Sequence, residues 1–133
     1  MKQIILTLPY PPTVNTYWRR AGHRTIISDR GRAYTRAVSD SLFVAGVRDG
    51  FGSADLAAMI TVYPPDKRRR DIDNVLKAVF DSLQKAGLFD DDSQIVKLFI
   101  EKGDQVKGGA LEIKLFDAPA DYEFEWVKRE RSA

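Results

Sequence analysis

The chain contains no cysteine. Disulfides, thiolate zinc sites and cysteine nucleophiles are therefore excluded, and the composition suits a reducing compartment. A lone histidine, His23, rules out a histidine-rich metal site within one chain. Any metal held here must be bound mainly by oxygen, which favours magnesium or manganese. No apolar run reaches the roughly 18 residues of a membrane span. The amino terminus also lacks the charged, apolar and small-residue order of an export signal. A cytoplasmic protein with no membrane partner is the expectation. The chain has no internal repeat, low-complexity segment or glycine-rich phosphate loop.

What remains is a 133-residue chain, 44% hydrophobic and 30% charged, long enough for one core and unlike a disordered segment. Its net charge of +2 conceals an asymmetry. Residues 1–70 hold 12 Lys+Arg against 5 Asp+Glu, net +7, and residues 71–133 hold 9 against 14, net −5. A basic first part suits a polyanion, although halves of a sequence need not form separate faces.

Residues 3–8, QIILTL, read as a strand ended by Pro9. Pro9, Pro11 and Pro12 then impose an extended backbone. Asn15, Tyr17, Trp18, Arg19, Arg20 and Arg24 follow, a mixture of aromatic and basic side chains able to stack on and pair with nucleic acid. The structural alternative is that Tyr17 and Trp18 pack on a sheet edge while the arginines stay exposed. Thr25 to Ile27 suggest a short strand. Ser28 or Asp29 is expected to cap a helix reaching about Val47, with Ala33, Tyr34, Ala37, Val38, Ser41, Leu42 and Ala45 as its buried stripe. Arg30, Arg32 and Arg36 fall outside that stripe. Leu56–Tyr63 reads as a strand with Leu56, Ala58, Ile60 and Val62 on one face. Residues 94–102 form another, with Val96, Leu98 and Ile100 together, and residues 110–116 a last one, with Leu111, Ile113 and Leu115 together. The order predicts a single α/β (α+β) domain over residues 1–117, a mixed sheet packed by two main helices. The tail of residues 118–133 shows no period, though Tyr122, Phe124 and Trp126 could dock.

The densest chemistry lies between Lys67 and Gln94. Lys67, Arg68, Arg69 and Arg70 abut Asp71 and Asp73. Ile72, Val75, Leu76, Val79, Phe80 and Leu83 form one apolar stripe of a helix of about 14 residues, roughly 20 Å long. Asp73, Lys77, Asp81 and Gln84 share a flank. Gly87 suits the helix end, and Asp90, Asp91 and Asp92 follow it. Acids at a helix start often serve as caps, and spacing alone does not bring the second acidic cluster to the first. Three carboxylates would nevertheless serve magnesium, and Lys77 could touch the scissile phosphate or its leaving oxygen; its alternative role is an i, i+4 salt bridge with Asp73 and Asp81.

LPYPPTVNTYWR near the start and RRRDIDNVLKAVFDSLQKAGLFDDDSQIV in the middle resemble the RusA family of Holliday-junction resolvases. The likeness spans most of residues 4–115. It implies a homodimer that binds four-way junction DNA and nicks two strands symmetrically with magnesium, manganese being able to substitute. It assigns the catalytic roles to Asp71, Asp73, Lys77 and Asp92, and the metal to Asp71, Asp73 and Asp92, with Asp91 as a neighbouring acid. The basic run Lys67, Arg68, Arg69 and Arg70 resembles the family's DNA-binding stretch, and Asn15, Arg19, Arg20 and Arg24 join it as candidate DNA contacts on their aromatic and basic setting alone. Asp90 stands where the compared family member has an apolar residue. The alternatives are a non-catalytic junction-binding protein of the same fold, whose carboxylates would be caps, and a metal-dependent phosphohydrolase acting on nucleotides.

Overall fold

The computed structural model describes residues 2–132. Its centre is a four-stranded sheet in the order β1-β6-β4-β5, made of β1 (Gln3–Leu8), β4 (Leu56–Tyr63), β5 (Ile95–Lys102) and β6 (Ala110–Asp117). β4 pairs in parallel with β5, whereas β6 runs antiparallel to both β1 and β4, so the sheet is mixed. The parallel pair needs a crossover, and helix α3 (Leu76–Lys85) supplies it. Helices α2 (Asp29–Val44) and α3 cover one face. Leu6, Ala58, Ile60, Val62, Leu111, Ile113 and Leu115 meet Tyr34, Val38, Leu42, Val79 and Leu83 in the main core. Among the described residues no helix is long and apolar enough to cross a membrane.

The predicted strands appear within a residue of their expected bounds, but the face expected for β5 is only partly realised. A register shift between Leu56 and Ala57 leaves Val96 without a partner in β4, and Val96 and Leu98 are exposed while Ile100 packs on the core. Helix α2 is capped by Ser28, whose Oγ accepts the Gly31 N–H at 3.0 Å. It ends at Val44, three residues early, and Ala33 and Ala45 are exposed, which narrows the stripe to Tyr34, Val38 and Leu42. The central helix begins as a 3₁₀ turn, Ile72–Val75, before α3. At its end Gly87 adopts φ 86°. The N–H of Leu88 donates to the Leu83 carbonyl and that of Gly87 to Gln84, both at 3.0 Å, completing the expected stop.

Two regions depart from expectation. Residues after Pro12 are not simply extended: Val14–Tyr17 form a short helix, α1, followed by a hairpin of β2 (Trp18–Ala21) and β3 (Arg24–Ile27). Tyr17 is fully buried rather than resting on a sheet edge, because its hydroxyl finds Thr35 Oγ1 at 3.1 Å and Ser82 Oγ at 3.4 Å between α2 and α3. The tail docks through Tyr122, Phe124 and Trp126 on the other face of the sheet, as their presence suggested, and departs from expectation in forming a helix, α4 (Glu125–Ser132). Ala57, Phe116, Ala118 and Phe124 make a second small core there, flanked by Phe99 and Tyr122.

Candidate active site

β4 ends at Tyr63, and Pro64 and Pro65 turn the chain out of the sheet into the basic run. Asp66 organises that run. Its Oδ1 accepts the backbone N–H of Arg68 at 2.9 Å and Arg70 Nη1 at 2.5 Å, and its Oδ2 accepts Arg70 Nη2 at 3.0 Å. The Arg68 guanidinium reaches the same Oδ2 at 3.3 Å. Hydrogen bonds from Arg70, reinforced by those from Arg68, hold the Asp66 carboxyl well below the usual carboxylate range. Arg70 lies over the Tyr10 ring, 5.8 Å from its centroid, and its carbonyl accepts Lys102 Nζ at 2.6 Å. Arg70 is thus half-buried and fixed, while Lys67, Arg68 and Arg69 remain exposed.

Asp71 and Asp73 follow at the start of the 3₁₀ turn. Asp71 occupies the cap position, yet its side chain makes no capping hydrogen bond. The first turn is closed by backbone alone, with Asn74 N–H donating to the Asp71 carbonyl at 3.2 Å. Both carboxylates are exposed, and among the described residues neither takes part in a side-chain hydrogen bond or ion pair of the kind that occupies Asp66. The capping role open to them in the sequence is therefore not taken up by Asp71.

Lys77 projects one turn further along. Its Nζ lies 3.3 Å from Asp81 Oδ1 and 3.7 Å from Asp92 Oδ2. Partial burial pulls its pKa down, but the attraction of Asp81 and Asp92 outweighs this and the net shift is upward. The loop after Gly87 turns Asp92 back against α3, and Gln84 holds it there by accepting the Asp92 N–H at 3.2 Å. Gln94 secures the same loop from the sheet side. Its Oε1 accepts the N–H groups of Asp90 and Asp91 at 2.8 and 2.7 Å, and its Nε2 donates to the carbonyls of Gly52 and Ala54 at 2.8 Å each. Asp91 caps the following 3₁₀ turn, accepting the Ser93 N–H at 3.0 Å, and that bond lowers its pKa. Asp91 is thus engaged locally, whereas Asp92 faces Lys77.

The structure thus joins Asp92 to Lys77 and Asp81 and leaves Asp71 and Asp73 together at the head of the same helix. Among the described residues no three His, Asp or Glu side chains lie close enough to form a ready-made metal cage. The donor chemistry still suits a hard cation, because Asp71 and Asp73 offer uncommitted oxygens. Magnesium is commonly held by one or two carboxylates together with water and substrate phosphate.

A surface cleft of about 690 Å³ runs between the first proline-rich loop and the basic run, lined by Tyr10, Thr13, Thr16, Arg68, Arg69 and Asp71, with Arg30 contributed by α2. The two sequence motifs therefore meet in space. Asn15 lies on α1 and Arg19, Arg20 and Arg24 on the hairpin; all four are exposed, but none lines this cleft. Sequence reasoning missed Asp66, Arg30 and the two glutamines as organisers. Asp66 carries a legible signal, four residues before Arg70 and two before Arg68. Gln84 carries none beyond its amide; Gln94 stands three residues after Asp91, the spacing of a capping box, but its bonds to Gly52 and Ala54 have no local signal.

The family model described as Endodeoxyribonuclease RusA matches residues 9–115. The chain is 41% identical over 115 residues to a crossover junction endodeoxyribonuclease of Enterobacteria phage HK97, covering 86% of this chain and 95% of that protein. It is 39% identical over 115 residues to the protein of the same name from Escherichia coli strain K12, with the same coverage. A counterpart in Enterobacteria phage 82 is 40% identical over 114 residues, covering 83% and 91%. With a match across this length and the acids, lysine and basic run gathered around one helix, the chain belongs to the endodeoxyribonuclease RusA family.

Proposed function

We propose that this protein is a magnesium-dependent endonuclease that resolves four-way DNA junctions by paired, symmetric nicks, in recombination and repair. Manganese would substitute. The observation that carries the reading is the seating of Lys77 against Asp81 and Asp92 on the helix headed by the uncapped Asp71 and Asp73, next to a cleft walled by arginines. Relatives named crossover junction endodeoxyribonucleases supply the substrate class.

In this reading Asp71 and Asp73 would hold the metal, and Asp92, which faces Lys77 in the free protein, would join them as the third ligand when it binds, while Asp91 stays with its cap. Bound magnesium supplies charge neutralisation at the phosphodiester and lowers the pKa of water. The protein's own residues do the rest. Lys77, kept protonated by its two carboxylates, presents a fixed positive charge to the scissile phosphate or its leaving oxygen. Arg68 and Arg69 bind flanking phosphates, and Asp66 limits the conformations Arg68 can take, so less freedom is lost when DNA arrives. In-line attack by water breaks the P–O3′ bond, leaving a 5′-phosphate and a 3′-hydroxyl that a ligase can rejoin. A two-fold homodimer would set two such sites against a two-fold substrate.

The test is incubation with a synthetic four-way junction and a linear duplex of matching sequence, with magnesium or with EDTA. Paired nicks confined to the junction and dependent on magnesium are expected. Tight junction binding without nicking in magnesium or manganese would instead indicate a non-catalytic binder.

A further inference from the structure

A second groove, which the proposed reaction does not use, lies on the helical side of the molecule. It has a volume of about 480 Å³ and is walled by Arg32, Arg36 and Asp40 of α2, Lys85 of α3 and Ile27 of β3. Arg30 of the same α2 lines the cleft instead. At about 100° per residue, Arg30 and Arg36 stand about 120° apart around the helix axis. The first half of α2 is therefore a ridge, with a cation facing the cleft on one side and a cation facing the groove on the other.

The cations of the groove are placed but not neutralised. Lys85 Nζ lies 5.6 Å from the Tyr17 ring centroid and 5.3 Å from that of Trp18, and among the described residues no carboxylate pairs with it. Two neutral rings thus fix the ammonium without cancelling its charge. Arg36 is exposed and, among the described residues, makes no side-chain hydrogen bond or ion pair. Arg32 is less free, since it pairs with Asp29 and donates to the Ile27 carbonyl at 2.9 Å. The β2–β3 hairpin lengthens the groove. Its register sets Trp18 opposite Ile27 and Arg20 opposite Thr25, and alternation puts these four on one face, with Arg19 and Arg24 on the other. Ile27 lines the groove and Lys85 lies against Trp18, so that face carries the groove on to Arg20. The hairpin is firmly seated. The Ser28 N–H donates to the Tyr17 carbonyl at 2.8 Å, and a Cβ on Gly31 would stand 2.5 Å from the same oxygen, so glycine is what lets α2 approach this closely.

We propose that Arg20, Lys85 and Arg36 hold the sugar–phosphate backbone of a second DNA arm while the cleft holds the first. The inference rests on the nuclease reading for its substrate, and it names the surface by which a branched molecule is told from a linear one. Phosphate contacts fix position and orientation without reading sequence, and a line of cations suits a strand that carries a charge every 3.4 Å or so, roughly, of its rise. Lys85 and Lys77 share the central helix and stand about 12 Å apart along its axis, so the second arm is held at a set distance from the reactive phosphate. A straight duplex runs along one side of the α2 ridge, whereas a junction presents an arm to each side. Asp40, the acid of the groove wall, works against the phosphates.

The test measures binding of the full chain to a four-way junction and to a linear duplex of matching sequence, without divalent metal, across a salt series. Arg36→Gln combined with Lys85→Gln should weaken junction binding by about tenfold or more at about 0.15 M salt, and make its salt slope shallower by about 2. The linear duplex should weaken by no more than about twofold, the statistical loss of one track in two. Arg36→Gln alone, which removes an exposed side chain without disturbing the Tyr17 and Trp18 packing, should change the junction slope by about 1. Asp40→Asn should tighten junction binding severalfold. Lys128→Gln with Arg129→Gln makes the same change of charge on α4, across the sheet, and should leave the junction bound as by the wild type. An unchanged junction slope in the groove variants, an equal loss on junction and duplex, an equal loss in the α4 variant, or weaker binding by Asp40→Asn would overturn the proposal. A junction-selective loss in a protein that nicks nothing in magnesium would uphold the groove and count against the nuclease instead.

Discussion

Gln84 accepts the backbone N–H of Asp92 at 3.2 Å, so helix α3 holds the turn that carries the last acid. The amide acts on the position of Asp92 and touches no phosphate in the proposed reaction. Gln84→Ala removes a bond worth on the order of 1 kcal/mol. Junction cleavage should slow about fivefold to tenfold, with the loss in kcat and little change in KM. Gln84→Glu, which keeps the acceptor, should recover part of the rate. Single-turnover kinetics check both, and an equal loss in the two variants would mean that the side chain serves some other purpose.

Asp71 and Asp73 separate a catalytic role from a capping one cleanly. A capping acid replaced by alanine typically costs about 1 kcal/mol. Since Asp71 makes no side-chain cap, Asp71→Ala should change unfolding free energy by less than about 0.5 kcal/mol, the range of ordinary surface substitutions. The same variant, and Asp73→Asn, should abolish nicking while junction binding is retained. Urea melts, gel shifts and cleavage assays on the same samples give all three quantities. A mutant that still cuts in magnesium would remove the residue from the site.

The shifts of Lys77 and Asp91 act toward opposite ends of the pH range. The raised pKa of Lys77 means that its contribution is complete below its unfolded value of about 10.4 and is lost as pH rises through the folded value above that. The lowered pKa of Asp91 works the other way: its contribution is present above about 3.9 and is lost as pH falls through the lower folded value. The rate of junction cleavage should therefore show no fall attributable to Lys77 up to about pH 10. NMR titration of the Lys77 side chain should place its midpoint above that of a lysine in an unstructured peptide. Lys77→Met should cut the single-turnover rate far more than junction affinity.

The parts of this fold legible in the sequence are those with one clear period. Val75, Val79, Phe80 and Leu83 mark the 3₁₀ turn and α3 together, and alternation marks β4 and β6, because each of these buries a single face or stripe. Helix α1 and strand β2 carry no period over four residues, and the prolines before them signal only extension, whereas the β-branched run Thr25–Ile27 marks β3. Val96 was misplaced because the bulge against Leu56 and Ala57 breaks the alternation at that point. At the site, the acids and Lys77 were visible by type, on motif and resemblance. The meeting of Asp92 with Lys77 was not, since it depends on amides of Gln84 and Gln94 reaching backbone from other segments. The hydrogen bonds of Gln94 to Gly52 and Ala54 span some forty residues of chain, and no local pattern encodes them.

The tail yields the last prediction. Phe124 is 8% exposed and stacks on Trp126 with ring centroids 4.7 Å apart, and Trp126 in turn meets Phe99 of β5 at 4.8 Å. These rings, with Tyr122 against Phe116 at 5.1 Å, cover a sheet face that would otherwise present Ala57, Met59, Phe99 and Phe116 to water. Residues 118–132 should thus behave as part of the domain's core and not as an appendage. Phe124→Ala is expected to cost about 3 kcal/mol, the usual range for emptying a buried aromatic site. Trp126→Ala should cost less, because that ring is 41% exposed. Removing everything after Asp117 should leave a chain that aggregates or melts well below the full-length protein. Urea unfolding of the point variants and thermal melts of the truncation measure this. A truncated chain as stable as the full one would show that the aromatic ladder contributes nothing to folding.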